Sequence, residues 1–198
     1  MPGTPHSRLI LASASPRRAE ILRNAGISFR ILRTSVDESP RRGESPARLA
    51  ARLAREKAIA AACRLRSPAI ILGADTVVVL GRQILGKPSS RSDARRMLRL
   101  LSGRSHRVLT AVALLRLAPG ARRPRILSAV ESTRVTFATL SARQITAYVS
   151  TGEPMGKAGA YAIQGRAGKF VTRIEGCYFN VVGLPLARVC RLLRRLNA

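Results

Sequence analysis

Tryptophan is absent from this 198-residue chain, and phenylalanine and tyrosine together make up only 4%. A large core must then be assembled from Leu, Ala, Val and Ile. Three cysteines, Cys63, Cys177 and Cys190, are far apart and odd in number, which argues against a disulfide framework and against metal spacing. The two histidines, His6 and His106, make a His-based zinc site improbable. No apolar run approaches a membrane span. The N-terminal apolar stretch is too short for a signal peptide and meets Pro-Arg-Arg. These absences favour a soluble cytoplasmic protein. Carboxylates are scarce as well, 10 against 36 basic residues, so each acidic position is informative.

The chain is apolar enough, at 46%, for a folded globule. Its length suits a single domain over residues 1–198, of one or two lobes, with 1–8 a flexible lead. The formal charge of +26 suggests nucleic acid as a partner. The distribution argues otherwise. Arginines are scattered through every segment beside Ala and Leu, which resembles coding bias more than a dedicated patch interleaved with aromatics. A nucleic-acid-binding regulator is therefore the alternative function and not the first.

The arginine excess makes the four lysines stand out: Lys57, Lys87, Lys157 and Lys169. A compact ammonium suits a phosphate oxygen in a tight site. Lys57 lies four residues after Leu53, beside an apolar stripe, where it either snorkels or points into a site. Lys87 and Lys157 fall in loops, where a solvated charge is the ordinary reading.

Short apolar strands alternate with capped amphipathic segments, which predicts an α/β fold with mixed strands. Leu9 to Ala12 reads as a buried strand and Ser15-Pro16 as a cap leading into a helix that Gly26 closes. Ile27 to Thr34 alternates like a strand. Ser45-Pro46 opens a second helix. Ala69 to Leu80 is an apolar strand interrupted by Gly-Ala-Asp-Thr. Ser90 or Ser92 caps a helix to Leu101. Two long β-type runs joined at "PGARRPR" suggest a hairpin. Ser141 caps another helix, a glycine-rich stretch and a strand follow, and a terminal helix starts near Pro185.

Several residues carry chemistry. Asp75 is a lone carboxylate in an apolar strand, costly unless paired, metal-bound or a base; otherwise it is a strand-end charge reaching solvent. Ser13, Arg17 and Arg18 stand at a strand-to-helix handover, where free N–H groups and the helix dipole attract anions. Helix capping explains Ser15 and Pro16 alone; it does not explain two adjacent guanidiniums. Asp37 and Glu38 form an acidic loop pair which, with a third carboxylate, suits Mg²⁺. Gln164, beside Gly165, is either a turn residue or an amide able to read a base edge. There is no GxxxxGK[ST] loop and no GxGxxG after a strand. The inventory fits an enzyme acting on a nucleotide polyphosphate.

Seven stretches, "LASASPRRAEIL", "LAREKA", "LGADTVV", "GKP", "LSGRSHRVLTAVAL", "GKAGAYAIQG" and "NVVGLPL", resemble in order and spacing the Maf-like nucleoside triphosphate pyrophosphatases. The likeness runs from about Leu9 to Leu186. It implies a Maf/inosine-triphosphatase-like fold, a mixed and strongly bent sheet flanked by helices. It implies hydrolysis of a nucleoside triphosphate to monophosphate and pyrophosphate with Mg²⁺ or Mn²⁺, and a homodimer. It implies Asp75 as proton acceptor, and Arg17, Thr76 and Gln164 in substrate selection. Ser13, Arg18, Glu38, Lys57 and Lys87 would complete the site, with Glu38 and Asp75 on the metal. The "KAGAYAIQG" stretch resembles the branch acting on dTTP and UTP. Arg166 and Cys177 depart from the family pattern, in which a small or apolar residue and a serine are common.

Overall fold

A computed structural model describes residues 9–117 and 124–197. The 1–8 lead and most of the "PGARRPR" turn lie outside the described residues. In chain order the elements are β1 (Leu9–Ala12), α1 (Pro16–Asn24), β2 (Arg30–Ile31), α2 (Pro46–Ala62), β3 (Ala69–Leu80), β4 (Gln83–Leu85), α3 (Arg91–Leu101), β5 (Ser105–Leu117), β6 (Arg125–Phe137), α4 (Ala142–Ser150), β7 (Val171–Glu175), α5 (Tyr178–Val182) and α6 (Leu186–Asn197). The seven strands form one mixed sheet in the order β2-β1-β3-β5-β6-β7, with β4 paired to β3. The fold is thus mixed α/β, as the alternation of strands and capped helices predicts. No helix among the described residues is long and apolar enough to cross a membrane.

Two compact units make up the chain. The first holds residues up to Asp75, Thr110–Val130 and the segment from Gly183. Its centre is parallel pairing of β1 with β3, in register from Leu9↔Ile70 to Ala12↔Gly73. Both partners are buried without a break over these residues, so their sequences read as continuous apolar runs. The buried hydrophobic side chains of this unit are aliphatic. Helix α2 lays Leu49, Ala50, Leu53, Ala54, Ala58 and Ala61 into the core, and Lys57 lies on the same buried side. At the other end of the chain, the Arg116 guanidinium donates to the Leu196 carbonyl near the C-terminus of α6 at 3.0 Å, the usual match of cation to helix end.

The second unit spans Thr76–Leu109 and Glu131–Val182. Here the aliphatic expectation fails. Four of the chain's few aromatic rings, Phe137, Tyr148, Tyr161 and Phe170, gather with His106 in edge-to-face contacts of 4.9–6.2 Å. Being few, the rings are concentrated in one cluster, where the face-to-edge geometry adds to area burial.

Two expected strands differ from the sequence reading. Ile27 to Thr34 yields only Arg30–Ile31 as strand, paired to β1 at Ile10↔Arg30 and Leu11↔Ile31. Its alternation is real, but it lies at the sheet's edge, and the chain beyond is held by side chains instead of a ladder: Arg64 donates to the Arg33 carbonyl at 2.8 Å and Arg52 to that of Ser39 at 2.9 Å. Conversely, β3 runs uninterrupted for 12 residues through Gly-Ala-Asp-Thr. Small residues there do not break the strand; they let a helix approach it.

His106 is 2% exposed, its Nε2 is 2.9 Å from the Tyr161 hydroxyl, and its Nδ1 is buried with no hydrogen-bond partner. Burial pushes the imidazole down to about 4. A histidine held neutral in the folded state contributes stability that is complete above its ordinary value of 6.5 and is lost as pH falls from there towards 4. The full effect is about 3 kcal/mol. Thermal unfolding of the wild type should therefore fall more steeply between pH 6.5 and 4 than that of His106→Phe. Parallel curves would show that His106 is not the titrating group.

Candidate active site

Gly73 in β3 packs against the backbone of α2. A Cβ at this position would lie 2.1 Å from the Ala54 carbonyl oxygen and 2.9 Å from the Ala58 nitrogen, so only glycine fits. The small residues beside Asp75 thus admit a helix. The consequence is chemical. With α2 this close, Lys57, one turn beyond Ala54, reaches Asp75, two residues beyond Gly73.

The Lys57 ammonium donates to Asp75 Oδ1 at 2.6 Å and to Glu38 Oε1 at 2.8 Å. Lys57 and Asp75 are only 9% and 7% exposed, while Glu38 is open to solvent. Of the two sequence readings of Lys57, snorkelling and pointing inward, the second is realised. Asp75 is not a strand-end charge reaching solvent but a buried member of an ion pair. A charge pair this buried holds only with good geometry and further hydrogen bonds.

Arg18 is buried too. Its Nε donates to the Gly183 carbonyl at 2.8 Å and its Nη1 to Ser13 Oγ at 3.0 Å. Burial lowers the guanidinium's affinity for its proton, and Arg17 beside it acts in the same direction. Asp75 and Glu38 oppose both. Arg18 therefore belongs to the electrostatic field of the two carboxylates. Arg17 is half-buried on the same helix start.

The capping expectation needs correction here. Ser15 stands at the N-cap of α1 but its side chain makes no cap hydrogen bond. Ser13 works instead, accepting from the Ser15 backbone N–H at 3.2 Å as well as from Arg18. The handover turn is thus fixed by a serine in the strand's own continuation.

Of the expected site residues, the first unit brings together Ser13, Arg18, Glu38, Lys57 and Asp75, with Arg17 as a charged neighbour of Arg18. Thr76, Lys87 and Gln164 belong to the second unit. Thr76 follows Asp75 along β3, Lys87 is exposed just after β4, and Gln164 is exposed in a glycine turn.

The sequence reading missed the brace behind Glu38. Arg52 meets Glu44 through two parallel bonds of 2.8 and 2.9 Å, Glu56 at 3.1 Å, and the Ser39 carbonyl. Arg52 holds the Glu44 carboxyl down at about 2. This fork ties the loop carrying Glu38 to α2. The signal available was Glu56 one helical turn after Arg52, with Glu44 eight residues before it, in a chain poor in acids.

The donor set suits a hard divalent cation. Glu38 and Asp75 converge on the Lys57 ammonium, and Mg²⁺ or Mn²⁺ takes one or two such carboxylates and completes its shell with water and phosphate oxygens. Among the described residues no group of three or more His, Cys, Asp or Glu gathers, so such an ion would need oxygens from elsewhere.

Two substitutions test this construction. Gly73→Ala should destabilise the protein by about 3 kcal/mol, since backbone must move to admit the methyl. Lys57→Met should cost about 3 kcal/mol by leaving Asp75 buried and unpaired, and Lys57→Met with Asp75→Leu should recover most of it. Chemical denaturation measures all three. A Lys57→Met protein as stable as wild type would mean the pair does not hold the folded site together.

A family model described as "Maf-like protein" matches residues 8–196. The chain is 50% identical over 189 residues to a protein of Pelotomaculum thermopropionicum, covering 96% of each. It is 53% identical over 190 residues to one of Symbiobacterium thermophilum, covering 96% of this chain and 94% of that one. It is 49% identical over 190 residues to one of Salmonella typhimurium, covering 96% and 93%. All three are named dTTP/UTP pyrophosphatase. Among solved structures it is similar to the Staphylococcus aureus Ham1 protein, at 13% identity and a TM-score of 0.41, over 65% of this chain and 72% of that one. With near full-length matches to the family model and to half-identical relatives, this chain belongs to the Maf-like protein family.

Proposed function

We propose that the protein is a nucleoside triphosphate pyrophosphatase that hydrolyses dTTP and UTP to the monophosphate and pyrophosphate. The observation that carries this reading is about 50% identity, along nearly the whole chain, to relatives named dTTP/UTP pyrophosphatase. The chemistry of the first unit agrees with it: buried cations of phosphate grade beside a buried carboxylate at a strand-to-helix turn. A nucleic-acid-binding regulator has no comparable support.

In this reading the triphosphate lies against the Ser13–Arg18 turn. Arg17 and Arg18 meet its negative oxygens, with Lys57 and Lys87 adding charge neutralisation. Asp75 takes a proton from the water that attacks the α-phosphorus, as the bond from the α-phosphorus to the bridging oxygen breaks and pyrophosphate leaves. Lys57 orients that carboxylate through its bond to Oδ1. Glu38 and Asp75 would hold Mg²⁺ or Mn²⁺, which would supply charge neutralisation for the leaving pyrophosphate. Thr76 and Gln164 select the substrate. The Gln164 amide offers one donor and one acceptor, matching the adjacent carbonyl and imide N–H of uracil and thymine. The setting is the cytoplasm, the working form a homodimer, and the role is clearing modified pyrimidine nucleotides from the pool.

The test is pyrophosphate and monophosphate release from a panel of nucleoside triphosphates, with Mg²⁺ or Mn²⁺. Release should be fastest from dTTP and UTP. Asp75→Asn should lower kcat by about 10²-fold or more at saturating metal. Near-normal turnover in that variant would rule out the general-base role, and silence across the panel from folded protein would overturn the pyrophosphatase itself.

A further inference from the structure

Gln164 sits at the tip of a tight turn within the second unit. The Gly165 N–H donates to the Ala162 carbonyl at 3.0 Å, closing a four-residue turn with Ile163 and Gln164 at its centre. A turn of exposed residues that stopped there would present the amide loosely. It does not stop there. Both flanks are tied to one relay of side chains, buried at its Tyr148 end.

On one flank the Ala162 N–H donates to the Tyr148 hydroxyl at 3.3 Å. That hydroxyl donates in turn to Glu153 Oε1 at 2.9 Å. On the other flank the Arg166 N–H donates to Glu153 Oε2 at 3.1 Å. The carboxylate therefore uses both its oxygens on the two sides of one turn. Tyr148 is buried on α4, with its ring edge-to-face on Phe170 at 5.3 Å, so the relay is anchored in the aromatic core. Glu153 is anchored as well: its N–H donates to Thr151 Oγ1, and its carbonyl accepts from the Lys157 ammonium. A side chain at position 165 would push the carboxylate out of its place. A Cβ on Gly165 would meet the Glu153 carboxylate at 2.4–2.6 Å.

We propose that Glu153 and Tyr148 are positioning residues for base selection: their relay fixes the Ala162–Arg166 turn and thereby sets how sharply Gln164 discriminates between pyrimidine bases. The inference rests on Gln164 reading the base. It also accounts for the tolerated Arg166. The relay holds the backbone N–H of residue 166, which every residue except proline supplies, while the Arg166 side chain is exposed.

The experiment compares wild type, Tyr148→Phe, Glu153→Ala, the double variant and Gln164→Ala. It reads kcat and KM for dTTP and for dCTP, which differ at the atoms an amide would meet. Losing a well-placed hydrogen bond in the relay should reduce the dTTP-over-dCTP ratio of kcat/KM about tenfold. The loss should appear mainly in KM, with kcat for dTTP within about threefold of wild type. The double variant should match Glu153→Ala, because the two side chains act as one unit. A merely structural contact would slow both substrates equally and leave the ratio intact. Amide hydrogen exchange at Ala162 and Arg166 should rise in both single variants. If Gln164→Ala changes the ratio while Tyr148→Phe and Glu153→Ala do not, the relay proposal is overturned. If Gln164→Ala leaves the ratio unchanged, the base-reading assignment fails and the selectivity claim with it. Unchanged exchange at both amides would in that case overturn the clamp on its own terms.

Discussion

The contact between Gly73 and the backbone of α2 is the constraint from which the first unit's chemistry follows. A strand and a helix ordinarily keep the distance that a Cβ imposes. Here there is none, and the helix backbone comes down to the strand. Lys57 and Asp75 then meet at 2.6 Å, both of them buried. Without the close approach, each charge would face burial alone, which costs several kcal/mol. Burying the pair is tolerable because Glu38 accepts a second hydrogen bond from the ammonium and Arg18 adds a compensating positive charge near the carboxylates.

A charge of +26 makes such pairing unusually important. With 10 acidic residues for 36 basic ones, most arginines cannot have a carboxylate of their own, and a carboxylate is seldom idle. Glu44 and Glu56 hold Arg52, Asp93 accepts from the Ser89 N–H ahead of α3 and meets Arg96, Glu38 and Asp75 hold Lys57, and Glu153 holds a turn. The exposed pairs among these contribute little to stability individually. Their effect is local order. The Arg52 fork orders the loop that carries Glu38, and Glu153 orders the turn that carries Gln164.

The second unit reaches rigidity by a different route. Its four buried aromatic rings are pooled in one edge-to-face cluster, and polar tips on those rings are put to use: the Tyr148 hydroxyl in the turn relay, the Tyr161 hydroxyl against His106. A second polar knot lies nearby in the same unit. Thr133 Oγ1 donates to the Cys177 carbonyl and accepts from the Cys177 N–H and from the Asn180 amide, using its full hydrogen-bonding capacity. The knot involves only the backbone of Cys177, which is why serine's replacement by cysteine leaves this arrangement intact.

Much of this was legible in the residues themselves. Apolar runs at Leu9–Ala12 and Ala69–Leu80, the serine-proline and serine caps, and the turn glycines fixed the main elements, because strand burial and helix capping are local effects. The scarcity of lysine and acid in an arginine-rich chain singled out Lys57, Asp75 and Glu38 before any geometry was known. What remained undecided depended on contacts between residues far apart in sequence. Whether Lys57 snorkels or points inward is set by how near α2 comes to Gly73, and neither helix periodicity nor strand alternation encodes that distance. The short reach of the edge strand after Ile31, the pooling of the aromatic rings, and the relay through Tyr148 and Glu153 are likewise tertiary. Each depends on a partner supplied by another element, and only the folded chain selects which one.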